Sequence, residues 1–203
     1  MLILKCKNQY QENCILLGQM NLIFNIRTVW MLFGLWTRAY LFSVATGLGN
    51  LDVVAQKLYG IPVDLYSILR LVFGDAVAQN ILNFLSMFVI NLQTAMMGLK
   101  NGDQASVNTS TVNLYQISAD LSNYLNQINP FWSAVQWRNL LDTYISLALR
   151  EAVALIGGDY TQDIELFDRL VNQAILLGDY MANGLIQYLA LRGPLPTQNQ
   201  QQV

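Results

Sequence analysis

Apolar residues recur at spacings of three and four along almost the whole chain, and alternation over strand length is missing. That period predicts helices and no sheet. Residues 21–47 are apolar on nearly every side, with Arg27 and Arg38 the only charges, which suits one long buried helix ended by glycines 47 and 49. Residues 51–59 read as a short helix halted at Gly60-Ile61-Pro62, and residues 63–73 as a second, opened by Pro62 and stopped by Gly74. Asp75 fits the N-cap of a helix running to Lys100, where Asn101-Gly102 turns the chain.

Asp103 caps the next helix, which extends to Gln127 and ends at Asn129-Pro130. Ser133 and Gln136 have capping-box spacing and open a helix that breaks at Gly157-Gly158. Asp159 and Gln162 form a weaker box for the last helix, to Leu191. There Ile164, Phe167, Val171, Ala174, Gly178, Met181, Leu185 and Tyr188 make a packing seam, opposite a solvated face of Asp168, Asn172, Asp179, Asn183 and Gln187. The expected fold is all-α: an up-and-down bundle of four long helices with short inserted helices.

The chain ends differ from this pattern. Residues 1–19 hold both cysteines and two of the four lysines, with an apolar run too short for a signal peptide. They read as an extension outside the fold, with the native start at Met20. Residues 20–192 then form a single bundle domain, and residues 193–203, which lack apolar anchors, a disordered tail.

Composition raises the question of a membrane, because 54% of residues are hydrophobic and only 12% charged. Between Asp75 and Lys100 no residue is charged, yet Asn80, Asn83, Ser86, Asn91, Gln93 and Thr94 are too many polar groups for a lipid-facing span. Arg38 interrupts the first helix at an insertion cost of about 2.5–3.5 kcal/mol. A soluble bundle is the expectation and a membrane-embedded one the alternative. A net charge of −2 and no basic cluster exclude a nucleic-acid partner.

There is no histidine, which removes Ser-His-Asp and Cys-His catalysis, His-ligated zinc and carboxylate–histidine di-iron chemistry. Cys6 and Cys14 alone complete no zinc site and fit a reducing, cytoplasmic compartment. Gly157-Gly158-Asp159 follows no strand and precedes no Gly-Lys-Ser/Thr, so it is a helix break rather than a phosphate loop. No catalytic residue, metal or cofactor is expected.

Two charges fall on apolar faces. Glu151 continues the seam of Trp137, Leu141, Tyr144 and Ala148, and Arg38 shares a face with Met31, Leu35, Phe42 and Ala45. An unpaired buried carboxylate is prohibitive, so an internal Arg38–Glu151 pair is expected, either fixing helix register or flooring a polar pocket. Asp159, Asp163, Glu165 and Asp168 stand near a helix N-terminus and serve its dipole. Trp30, Trp36, Trp132 and Trp137 pack the core.

Several motifs resemble an uncharacterised family of small all-helical proteins from Gram-positive anaerobes, whose members automatic naming often labels acetylglutamate kinase. They are Trp36-Thr37-Arg38, Asn101-Gly102-Asp103, Ile128-Asn129-Pro130-Phe131-Trp132, Trp137-Arg138-Asn139-Leu140-Leu141 and Gly178-Asp179-Tyr180-Met181-Ala182. The resemblance spans about residues 30–189. Acetylglutamate kinases are α/β proteins with glycine-rich phosphate loops, and this sequence has neither strand nor loop. The resemblance implies histidines inside the bundle at the positions of Phe33, Phe88 and Tyr144. Aromatic residues stand there instead, so metal binding of that kind is not expected.

The leading expectation is a non-enzymatic bundle acting through self-association or protein interaction, as a homo-oligomer. The alternative is a carrier or sensor of an apolar small molecule held among Phe33, Trp36, Phe88 and Tyr144 above the Arg38–Glu151 pair.

Overall fold

Short breakers divide the chain into six helices of 23 to 33 residues. The computed structural model describes residues 17–192, and the greater part of the expected N-terminal extension and the whole expected tail lie outside them. In order the helices are α1 (Leu17–Thr46), α2 (Leu51–Phe73), α3 (Asp75–Asn101), α4 (Gln104–Ile128), α5 (Ala134–Gly157) and α6 (Tyr160–Arg192). No strand occurs among the described residues. Leu17, Gly18 and Gln19, read from sequence as extension, belong to α1.

The expected four long helices with short inserts give way to six long ones: the five long segments between the breakers each form a helix, and α2 joins the two expected short helices into a sixth. Pro62 lies inside it, although proline removes a backbone donor and costs about 3 kcal/mol in a helix interior. Val54, Leu58, Ile61, Leu65 and Leu69 form one buried seam through the break, and packing of that seam outweighs the local penalty. Gly74 alone turns α2 into α3 with φ +85°, a conformation that glycine adopts freely. Gly74 is thus the N-cap of α3, and Asp75 is its first helical residue, bonded to the Tyr66 hydroxyl. The three other expected caps form: Asp103 accepts from Ser106 N–H at 3.1 Å, Ser133 from Gln136 at 3.4 Å and Asp159 from Gln162 at 3.1 Å.

Each helix packs on its neighbours in sequence, and α6 packs on α1, so the six close into a ring. α1, α3 and α5 also touch one another across the inside. Asn91 meets Asn113 and Asn80 meets Tyr124, so α3 and α4 run antiparallel. Gly178 of α6 lies against Arg27 and Trp30 of α1, and Gly34 against Ala174, which brings these two backbones close and antiparallel.

One core cluster runs through all six helices. The loop from α4 to α5 caps one end of it. Asn129 is buried, donates to the Gly184 carbonyl at 3.1 Å and accepts from Phe131 N–H at 3.0 Å. Trp132 is thereby set under α6, the pyrrole atoms of its indole against the bare Cα of Gly184 and its ring edge-on to Trp137 at 5.8 Å.

Candidate functional site

The buried charges gather where α1, α5 and α6 meet. Arg38 Nη1 donates to Glu151 Oε1 at 2.9 Å, so the structure brings the two residues together. It adds a third: Arg38 also binds Asp163 through Nη1, and through Nη2 to Oδ2 at 2.7 Å. The guanidinium carbon lies 5.3 Å from the centre of the Phe167 ring, which covers the cluster. Glu151 is 0% exposed and Asp163 is buried too, while Arg38 keeps a narrow edge open to solvent.

Sequence reading placed Arg38 on the Met31–Leu35–Phe42–Ala45 face as an inward one. Leu35 and Phe42 are in fact exposed, and the long arginine side chain reaches inward from the border of that face. Asp163 was assigned to the α6 dipole. A seam shifted by one residue, Asp163, Leu166, Leu170, Ala174 and Leu177, is the buried one, and Ile164 is exposed. The two registers meet at Ala174, and the leucines at 166, 170 and 177 of the second were the available signal.

The electrostatics follow from burial. It pushes the Glu151 carboxyl up to about 7, against the pull of Arg38, and the Asp163 charge adds to the rise. Burial alone would lower the Arg38 pKa, but the two carboxylates outweigh it and raise it. Beside the cluster, the buried Tyr144 hydroxyl and Thr37 Oγ1 share a hydrogen bond of 2.8 Å. Burial raises the Tyr144 pKa, and the bond with Thr37 partly offsets it.

Above this polar corner Phe33, Phe88 and Tyr144 come together, one from each inner helix. Their ring centroids lie 5.3, 6.1 and 6.2 Å apart, with Phe33 and Tyr144 stacked. The rings fill the space with each other. Trp36 does not join them: it is half-buried in a groove between α1 and α2, lined also by Val53 and Val54, with Lys57 5.8 Å above its ring. An apolar gap of about 10 Å³ beside Trp30, Phe33, Ile61 and Leu85 has room for one water-sized sphere at most. Among the described residues no group of three or more Cys, His, Asp or Glu side chains is placed to hold a metal.

The outer surface of α1 is the other unusual feature. Leu17, Met20, Phe24, Leu35 and Phe42 line it, each between 38% and 60% exposed. Arg27 and Arg38, the only charges of the helix, are turned to Asp179 and to the buried cluster. α3 alone among the described helices is long and apolar enough to cross a membrane, and 44% of its most apolar window is buried in the bundle.

Fold and site define an all-helical bundle whose interior holds one arginine shared by two carboxylates. Comparisons with protein-family models, curated proteins and solved structures each give no match.

Proposed function

We propose that this chain is a cytoplasmic, non-enzymatic bundle that works by associating with a second copy of itself along the outer face of α1. The observation that carries the reading is the uncharged stripe from Leu17 to Phe42, which leaves large apolar side chains in water on a helix 30 residues long. A helix of that length spans about 45 Å. At about 10 Å wide it covers less than the roughly 800 Å² per partner of a stable interface. Its shoulders therefore take part: Val53 on α2 and Ile164 on α6 are both exposed. A face without charge offers no like-charge repulsion to a copy of itself. The carrier alternative has less support, because the aromatic side chains it would use are packed together or turned outward.

Light scattering coupled to size exclusion tests the reading on the full chain and on Phe24→Glu/Phe42→Glu. The expected result is a wild-type mass at least twice the chain mass of 22.9 kDa, and a variant with one chain mass and the same circular dichroism. A wild type that stays monomeric at high concentration overturns it.

A further inference from the structure

Two carboxylates share one guanidinium at the α1–α5–α6 corner, so the cluster holds one negative charge in excess when all three groups are ionised. Asp163 takes both nitrogens of the Arg38 fork, and Glu151 receives Nη1 alone. Glu151 Oε2 is sealed from solvent and has no hydrogen-bond partner. The ionisable groups acting on this carboxyl are Arg38 from α1 and Asp163 from α6, with the Tyr144 hydroxyl on its own helix. Neither α3 nor α4, the other helices packed on α5, contributes one. A proton needs no space beyond the oxygen that carries it, and it removes both the excess charge and the unpaired anion.

We propose that Glu151 carries a proton up to neutral pH and that its loss on the alkaline side loosens the α1–α5–α6 corner, making this bundle responsive to pH. The O–H bond breaks, the proton passes to water, and a second carboxylate charge is left facing Asp163. Rehydration relieves that charge, and it requires the first turns of α6, which carry Asp163, to move away from α5.

The sign follows from linkage. In the fold the Glu151 carboxyl titrates near 7, whereas in the unfolded chain it titrates at its ordinary 4.5. The folded state therefore binds the proton more tightly, and stability falls as pH rises between those values and is level above them. Thermal unfolding from about pH 5 to about pH 9 tests this with the wild type, Glu151→Gln and Asp163→Asn. The amide of Glu151→Gln keeps the shape of the protonated acid and loses no proton. Its melting temperature should lack the fall seen in the wild type, and Asp163→Asn should move that fall to lower pH by leaving Arg38 to Glu151. Amide exchange in the first turns of α6, corrected for intrinsic rate, should quicken at high pH in the wild type only. An infrared carbonyl band of a protonated carboxylic acid, present in the wild type near pH 6 and lost by about pH 8.5, supplies a readout that needs no variant. Parallel melting curves for the wild type and Glu151→Gln, or no such band near neutral pH, overturn the proposal.

Discussion

Replacing Gly184 with alanine puts a methyl group where the Trp132 indole already lies. The added Cβ falls well inside contact distance of Nε1 and Cδ1 and 3.0 Å from Cε2. The ring has little freedom to yield, since Trp132 is fully buried and packed against Trp137 at 5.8 Å and Phe73 at 5.7 Å. Its backbone is held as well: the carbonyl accepts from Asn126 at 2.6 Å and the N–H donates to the Asn129 carbonyl at 3.1 Å. If the surroundings give way, overpacking costs about 1–3 kcal/mol. If the indole is expelled, the loss approaches the 3–5 kcal/mol or so of a deleted core tryptophan. An overlap this deep on a ring held on every side is not absorbed by small shifts, so the second case applies; alanine regains about 1 kcal/mol over glycine in a helix, which leaves a net destabilisation of about 2–4 kcal/mol. Urea denaturation followed by circular dichroism and tryptophan fluorescence measures it. Gly60→Ala is the control, because its Cβ meets nothing within 4 Å; there only the helix gain of about 0.5–1 kcal/mol should remain. Equal stability of Gly184→Ala and the wild type would refute the packing argument.

Other substitutions test the polar interior. Arg38→Met strands two buried carboxylates and should cost about 3–5 kcal/mol at mildly alkaline pH, read as a fall in urea midpoint with unchanged slope. An unchanged midpoint would show that the cluster stores no such energy. Tyr144→Phe leaves the buried Thr37 hydroxyl without its partner and should cost about 1–3 kcal/mol; Thr37→Val in the same chain should recover much of that loss in a double-mutant cycle.

The all-helical character and most breaks were legible because they depend on local chemistry. Asp103, Ser133 and Asp159 cap the helices they precede, and the α5 seam from Trp137 through Glu151 to Leu155 is buried throughout. Pro62 misled because local propensity and tertiary packing oppose each other there, and only the folded neighbours decide the balance. Asp163 was missed for a related reason: an acid in the first turns of a helix has a sufficient local explanation, and the arginine that binds it lies 125 residues earlier. The nature of Trp36 as a groove residue also depends on Lys57 of another helix.

The contact of α6 with α1 governs how the chain must be made. α1 emerges from the ribosome with Trp30, Phe33 and Leu41 ready for burial, yet the helix that covers one side of it begins only at Tyr160. At the usual pace of about 5–20 residues per second, the start of that partner follows the end of α1 by about 6–23 s. During this interval α1 has only part of its ring around it, so its apolar face stays open to water until α6 has been made. Closure of the ring is thus the last event of synthesis, and truncation before Tyr160 leaves α1 uncovered along the side that α6 occupies.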